Sequence, residues 1–337
     1  MKFANRKIAP GEVKEFDLKA AETAAGPVTI PCTVIRGAED GPVLAVTAAC
    51  HPMELNGVLA SIRLVKAIKP EKLRGTVAIV HVQNVFGFMM RRGHISPLDG
   101  VNMGTAFSAE DSTVEEGGSV SHQGKSVTHQ IADCVFRHFN SKADYLIDLH
   151  GGELHESLMS NIEILPIGDE ETDQRTREFA ASFGFDHVWE VPHGSIPEMP
   201  SYPARGSAVM ECMQSGIPAV YCEVGSEGRL EEPLVDQTVK GILNAMRTLK
   251  MLPGRAEKKT PRTLVGGHVL FAGRGGLFVA KCAAGDTLRK NQIIGQIIDV
   301  RGEVVEKIRC PRAGVLTNIN TLGVVNPGDM LYVIGNT

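Results

Sequence analysis

Residues 42–57, PVLAVTAACHPMELNG, contain the features that decide the fold of this chain. The apolar run 42–50 has the length and the uninterrupted hydrophobicity of a buried β-strand. A helix is predicted over 56–68, because apolar side chains recur there at helical spacing and a proline follows its end. A buried strand that leads directly into a helix indicates an α/β protein.

The same alternation continues on both sides of this stretch, from residue 28 to residue 252. Further strands are predicted at 28–36, 76–84, 143–152, 161–167, 187–192 and 217–225. Further helices are predicted at 123–142, 170–183, 207–215 and 232–252. Residues 85–122 are irregular and rich in glycine, and loops of that length are usually functional. Continuous apolar strands between helices predict a sheet that is covered by helices on both faces.

The chain changes character after the basic linker 253–262. Helical periodicity stops, and five short β-runs follow: GLFVAK, QIIGQIID, VVEKIRCP, GVLTNI and MLYVIG. Glycines separate these runs, which is typical of a small all-β domain. We therefore predict two domains, at 1–255 and 256–337.

Composition excludes several classes of protein. Of 337 residues, 43% are hydrophobic and 22% charged, which is a globular balance rather than a disordered one. The seven cysteines are scattered without a CxxC pair, as expected in a reducing compartment. The first residues lack the apolar segment of a signal peptide, and no apolar run reaches the roughly 18 residues of a membrane helix. The sequence predicts a cytoplasmic protein.

The net charge of −4 is unevenly distributed, because residues from Lys258 onward carry 11 Lys/Arg and 5 Asp/Glu. These charges are spaced singly and few aromatic residues accompany them, so a solvated basic face is the better interpretation than a nucleic-acid interface. We expect a small-molecule substrate as the partner, and neither nucleic acid nor a membrane. A homo-oligomer is left open.

Three residues have the types and the spacing of metal ligands. His51 and Glu54 stand three apart where a strand meets a helix, so both side chains can reach one ion. His150 ends another predicted strand in the sequence DLHGG, 150 − 54 = 96 residues later. Two histidines and one glutamate with an open fourth position form a catalytic zinc set. Asp148 is a candidate for orienting an imidazole.

Glu223 also lies at the end of an apolar strand, in AVYCEVGS. A carboxylate is costly to bury there without a task or a partner, and beside a metal it could serve as a general base. Each candidate alone is better explained as a structural residue, whereas the four together favour a metal site. Cys50 and Cys222 flank this site, and their apolar context favours inert packing.

The motifs HPMELNG, QNVFGF, SPLDGVNMGTAF, DLHGG and GIPAVYCEVG, with the β-rich tail, resemble the succinylglutamate desuccinylase/aspartoacylase family. This family comprises zinc-dependent deacylases that are related to zinc carboxypeptidases. The resemblance runs from about residue 28 to the end. It implies a zinc-carboxypeptidase-like mixed sheet, one zinc ion on His51, Glu54 and His150, and Glu223 as the catalytic glutamate.

The sequence departs from the family pattern mainly in the loop 91–107. In relatives, two arginines and a later Asn-Arg pair lie there, and the pair holds the substrate carboxylate. Aligned on Pro97 and Asp99-Gly100, this chain has Arg92 and His94 in place of the arginines, and Gly104 and Thr105 in place of the pair. The predicted substrate-binding residues are therefore Arg91, Arg92, His94 and Asn102.

The tail, AAGDTLRKNQIIGQIID followed by CPRAGVL, resembles a biotinyl/lipoyl-like barrel. Carrier domains of that kind bear a modified lysine at the hairpin tip, whereas the tip here, residues 299–303, has none. We expect a structural role or a role in covering the active site.

These observations predict a zinc-dependent hydrolase that cleaves a non-peptide amide or an ester of a small N-acyl compound. One alternative is a zinc-binding protein of this fold that has lost or altered its catalysis. The other is a metallocarboxypeptidase, which is disfavoured because that chemistry also needs the missing carboxylate clamp.

Overall fold

The computed structural model describes residues 2–107, 125–203 and 205–337. None of the helices in these ranges is long and apolar enough to cross a membrane. The α-helices of the described residues are α1 (Leu55–Ala67), α2 (Val85–Met90), α3 (Val127–His138), α4 (Glu170–Ala181), α5 (Ala208–Gln214) and α6 (Glu232–Thr248). The strands of the first part are β1 (Lys2–Phe3), β2 (Arg6–Lys7), β3 (Val13–Thr23), β4 (Gly26–Arg36), β5 (Glu39–Ala48), β6 (Arg74–Val80), β7 (Tyr145–His150), β8 (Glu156–Leu158), β9 (Asn161–Ile164), β10 (His187–Glu190) and β11 (Ala219–Glu223).

A nine-stranded mixed sheet organises the molecule, with the strand order β12-β10-β9-β11-β7-β5-β6-β4-β3, in which β12 is Arg262–Val265. Its central strands β11, β7, β5 and β6 run parallel to their neighbours in that group. β9 is antiparallel to β11, and β3 and β4 form an antiparallel hairpin at one edge. The predicted α/β class with a mixed sheet is confirmed.

Helices cover both faces of this sheet, as the continuous apolar strands predict. One hydrophobic core lies between the sheet and helices α1, α4 and α6, and includes Leu64, Phe179 and Ile242. The other core lies under α3 and α5, and includes Phe136 and Met210. Because each central strand packs on both sides, the interiors of these strands are mainly apolar.

The predicted strands and helices before residue 253 are confirmed with end shifts of a few residues. Residues 123 and 124 of one predicted helix lie outside the described residues. The sequence analysis missed β3, whose first half is largely polar because it lies at the edge of the sheet. It also missed α2, a six-residue helix within the region predicted to be irregular. The Asn84 side chain caps α2 by accepting a hydrogen bond from the Gly87 amide.

The C-terminal residues form mostly antiparallel β-structure. Their strands are β12 (Arg262–Val265), β13 (Gly267–Phe271), β14 (Gly276–Ala280), β15 (Thr287–Leu288), β16 (Ile293–Ile298), β17 (Val304–Arg309), β18 (Gly314–Asn320), β19 (Val324–Val325) and β20 (Met330–Asn336). Two small sheets contain β13 to β20 and enclose a separate apolar core.

The C-terminal part is also joined to the first part by strand pairing. β12 extends the nine-stranded sheet beside β10, and β8 pairs with β18. The domain boundary at residue 255 and the barrel-like character of the tail stay predictions.

Candidate metal centre and substrate cavity

One face of the nine-stranded sheet carries a row of polar and aromatic side chains across four neighbouring strands. In the register of the sheet, His150 on β7 lies beside Glu223 on β11. Tyr221 on β11 faces Glu163 on β9, and Glu163 lies beside Trp189 on β10. Side chains alternate along a strand, so residues two apart, such as Tyr221 and Glu223, share this face.

His51, Glu54 and His150 converge beside this row, each offering one ligand atom within 4.8 Å of the others. His51 Nδ1 lies 2.9 Å from Glu54 Oε1, and His150 Nδ1 lies 3.0 Å from Glu54 Oε2. Within the described residues, Glu54 Oε2 is buried without a hydrogen bond, despite its nearness to His150. A bound cation would satisfy this oxygen, and two imidazoles with one carboxylate are a donor set that fits a metal ion.

The electrostatics of the cluster also favour a bound cation. Burial alone would raise the pKa of Glu54, but the two imidazoles override it and lower that pKa to about 2. Burial alone would lower the pKa of His150, yet Glu54 and Asp148 raise it well above its ordinary value. The site therefore stabilises positive charge at its centre.

The outer nitrogen of each histidine has its own partner. His150 Nε2 lies 3.1 Å from Asp148 Oδ2, and Asp148 accepts a hydrogen bond of 2.6 Å from the Thr47 hydroxyl. His51 Nε2 lies 3.2 Å from Asn102 Oδ1. Such contacts fix the ring orientation and leave Nδ1 as the ligand atom. Asn102, predicted to bind substrate, is thus placed against a histidine of the cluster.

Two glycines of the recognised motifs allow the close approach that assembles the cluster. A Cβ at Gly57 would lie 2.8 Å from the Leu149 Cβ, so a larger residue would push α1 away from β7. Gly225 has a φ of +97°, and a Cβ there would lie 1.7 Å from Asn56 Nδ2. The Asn56 side chain also accepts a hydrogen bond from the Glu231 amide. Since Gly57 lies three residues after Glu54 and Gly225 two residues after Glu223, these contacts bring the two glutamates close together.

A second set of donors, Cys50, Asp148 and His150, satisfies the same distance criterion. Burial raises the pKa of the Cys50 thiol to about 12, so this sulfur stays protonated and is a poor ligand. Cys222 is also buried, and burial raises its pKa. Both cysteines behave as packing residues, in line with the expectation from sequence.

Two cavities adjoin the cluster. The larger, of about 260 Å³, is lined by carboxylates (Glu156, Glu163, Glu223), by apolar side chains (Trp189, Ile196, Met199) and by residues of the C-terminal strands (Val269, Asn318, Met330, Val333). The smaller, of about 200 Å³, is lined by Asn102, Gly104, Thr105, Tyr202, Tyr221 and Glu223, among others. His51 and His150 line both cavities, so one molecule could occupy both and place its central bond at the cluster.

Glu223 lines both cavities and stands beside His150 in the sheet. Its desolvation, which the charge on His150 opposes, raises its pKa well above the ordinary value for glutamate. Such a carboxyl group holds a proton more readily than an ordinary glutamate does.

The predicted substrate-binding residues of the loop 91–107 differ in whether they line a cavity. Arg91 and Arg92 are exposed and are absent from the described linings of both cavities. His94 lines the larger cavity, and its ring centroid lies 4.2 Å from that of His51. No lysine or arginine of the described ranges contributes to either lining. The roles of Arg91 and Arg92 in binding substrate stay predictions.

Glu163 and Glu156 are cavity residues that sequence reasoning missed. Glu163 interrupts the apolar strand NIEILPI, and the argument used for Glu223 would have found it. Glu156 lies in the short strand β8, which has too few residues for a recognisable pattern. Tyr202, whose hydroxyl donates a 2.7 Å hydrogen bond to Glu163, lies in a loop without a motif.

Comparisons with known proteins match most of the chain. The model of the succinylglutamate desuccinylase/aspartoacylase catalytic domain matches residues 40–249. N-alpha-acetyl-L-2,4-diaminobutyric acid deacetylase from Halomonas elongata is 26% identical over 320 residues, which cover 93% of this chain and 87% of that protein.

Solved structures share the fold over nearly the whole chain. The product-bound ectoine utilization protein EutE (DoeB) from Ruegeria pomeroyi superposes with a TM-score of 0.84 at 22% identity. Succinylglutamate desuccinylase/aspartoacylase from Rhodobacter sphaeroides gives 0.82 at 20% identity, and each comparison covers 98% of both chains.

Proposed function

Since this chain belongs to the succinylglutamate desuccinylase/aspartoacylase family, we propose that it is a zinc-dependent deacylase of a small N-acyl compound. The observation that carries this proposal is the convergence of His51, Glu54 and His150 beside Glu223, with two cavities that both reach this cluster. The bond to be cleaved is a non-peptide amide or an ester, and it would lie between the two cavities.

The donor set supports zinc as the metal. Two imidazole nitrogens and one carboxylate leave an open position, which distinguishes catalytic zinc sites from closed structural ones. When bound, zinc would lower the pKa of a water molecule and polarise the acyl carbonyl. Asp148 and Asn102 would hold the two imidazoles in the orientation that presents Nδ1 to the ion.

Glu223 would act as the general base and then as the general acid. Its carboxylate takes a proton from the attacking water and passes that proton to the nitrogen of the leaving amine. The raised pKa of Glu223 favours the protonated carboxyl, which is the form that donates in the second step. Glu223 on β11 and His150 on β7 are partners in the register of the sheet, so the proposed base stays beside a proposed metal ligand in both steps.

The two cavities would divide the substrate between them. Their volumes of about 260 and 200 Å³ suit a compound of the size of an acylated amino acid rather than a folded polypeptide. The relative from Halomonas elongata is named for the deacetylation of an N-acetylated amino acid, which supports the same class of reaction. Strands β13, β18 and β20 would complete the wall of the larger cavity.

A zinc-binding protein without catalysis is the alternative suggested by Gly104 and Thr105. A purely structural site would need no base beside the ligands, so Glu223 argues against this alternative. The test is hydrolysis of a panel of N-acyl amino acids, esters and short peptides by the zinc-loaded protein, with Glu223→Gln as the matched control. Amine release that depends on zinc and on Glu223 supports the deacylase. Zinc binding without turnover of any compound would contradict it.

A further inference from the structure

We propose that a basic groove between α6 and the linker 253–262 binds the phosphate group of a small molecule, at a site separate from the metal centre. The groove has a volume of about 400 Å³ and shares no described lining residue with the two cavities at the metal cluster. Ile242 of α6 belongs to the core on one face of the nine-stranded sheet, whereas Trp189 of the larger cavity belongs to the core on the other face. The groove is therefore not an extension of the proposed active site.

The lining of this groove carries a net positive charge of 4 − 1 = +3, although the whole chain has a net charge of −4. Its cations are Lys240 and Arg247 on α6 and Lys258 and Lys259 on the linker, and its one carboxylate is Glu257. A concave surface with an excess of one charge concentrates ions of the opposite sign. An anion is therefore the class of ligand that the groove favours.

Two of the four cations have no partner of their own. Lys240 and Lys259 each form an ion pair with a carboxylate. In the described part of the chain, neither Arg247 nor Lys258 forms an ion pair or a side-chain hydrogen bond. Two unpaired cations match the charge of one phosphate dianion. The guanidinium can hold two phosphate oxygens at once, and the ammonium adds a compact positive charge.

Hydrogen bonds fix the two walls of the groove relative to each other. Asn244 on α6 is 5% exposed, and its Oδ1 accepts a 2.8 Å hydrogen bond from the Glu257 amide. Its Nδ2 donates to the carbonyl of Glu257, also at 2.8 Å. The backbone of Lys258, the next residue of the linker, is thereby held beside α6. Arg247 lies three residues after Asn244, so the two share a face of the helix. Walls that are already in place reduce the entropic cost of binding a ligand.

The shape of the groove favours a small phosphorylated molecule over a nucleic acid. A volume of about 400 Å³ is typical of sites for small molecules. The two aromatic residues of the described lining, Phe183 and Phe185, are 3% and 2% exposed. Neither ring is available to stack on a base, which is the usual contact with single-stranded nucleic acid.

The test is a calorimetric titration of the zinc-loaded full chain with glycerol 3-phosphate, with glycerol as the uncharged probe, at about 0.15 M salt. We expect the phosphate ester to bind and glycerol not to bind. Arg247→Gln and Lys258→Gln should each weaken the affinity by about 10-fold or more, as expected for the loss of one charge-assisted hydrogen bond. Thermal unfolding without ligand checks that both variants fold.

Lys250→Gln and Arg255→Gln remove the same charge from exposed residues nearby that are absent from the described lining, and they serve as controls. Affinity that is retained in the controls and lost in the groove variants supports the proposal. Equal losses in all four variants would indicate attraction to a general basic surface and would overturn it. Undiminished binding in the Arg247→Gln, Lys258→Gln double variant would place the phosphate elsewhere, for example on the zinc ion. Binding of a single-stranded oligonucleotide without binding of the ester would also contradict the proposal.

Discussion

Nδ1 of His150 lies 3.0 Å from Oε2 of Glu54, although 96 residues separate them in the sequence. The contact exists because α1 packs closely on β7 through Gly57. It places the third donor beside the His51–Glu54 pair and defines the centre of the proposed active site.

We expect the purified protein to bind about one zinc ion per chain, because His51, Glu54 and His150 supply three ligands. His51→Ala and His150→Ala should each lose most of this zinc, as measured by metal analysis after dialysis. Cys50→Ala should retain it, since the thiol is protonated. Undiminished zinc in both histidine variants would place the metal elsewhere.

Glu223→Gln should keep the fold and the metal but lose turnover by about 10²–10⁴-fold, the usual cost of removing a general base. The amide is nearly isosteric with the carboxylate but cannot accept the proton of the attacking water. Steady-state kinetics with the best substrate, together with metal analysis of the same sample, checks this prediction. Turnover close to that of the unmodified protein would remove Glu223 from the mechanism.

Gly104→Ala should weaken zinc binding by about 10- to 100-fold, the range found when outer contacts of a ligand are disturbed. A Cβ at this position would lie 2.8 Å from His51 Nε2 and 3.2 Å from Asn102 Oδ1, so the imidazole would have to move. Competition with a chelator measures the affinity. Thr105→Ala is the matched control, because its exposed side chain is trimmed without crowding His51. Equal affinity in the two variants would contradict this role of Gly104.

N-acetylaspartate and N-succinylglutamate should be poor substrates, by one to several powers of ten in kcat/KM relative to the best compound. The family resemblance implies an Asn-Arg pair that grips a carboxylate, whereas this chain has Gly104 and Thr105 there, which line the smaller cavity without offering a charge. The measurement compares acyl amides with and without the α-carboxylate. A loss of a hundredfold or more on removing that carboxylate would reveal a clamp and refute this interpretation.

Glu163→Gln should stabilise the protein at pH 8 and have little effect near pH 4.5. Burial raises the pKa of Glu163 to about 7, and the repulsion of Glu156 adds to this effect. The Tyr202 hydrogen bond and the charge on His150 act in the opposite direction. Because the unfolded chain releases this proton near pH 4.5, stability falls as the pH rises from about 4.5 to about 7. The full cost at pH 8 is on the order of 3 kcal/mol.

Thermal unfolding of the metal-free protein across this pH range checks the effect of Glu163→Gln without any need for turnover. The control is Glu178→Gln on the exposed face of α4, for which we expect no pH-dependent difference. A constant difference between Glu163→Gln and the unmodified protein from pH 4.5 to pH 8 would mean that Glu163 does not titrate in this window.

The sequence by itself determined the α/β class and the metal-ligand candidates. Continuous apolar runs identify strands that are buried on both faces, and helical periodicity identifies the helices between them. His51, Glu54, His150 and Glu223 were recognisable because polar residues at the ends of such runs are costly unless they have a task. The edge strand β3 escaped detection because its outer half needs no apolar surface.

Only the tertiary structure decided which side chains meet. Glu163 reaches the cavity because β9 pairs with β11, and Asn102 contacts His51 because its loop folds over the cluster. Neither strand order nor loop path follows from local pattern, since both depend on how distant segments pack. The acidic lining of the larger cavity therefore becomes visible only in the folded chain.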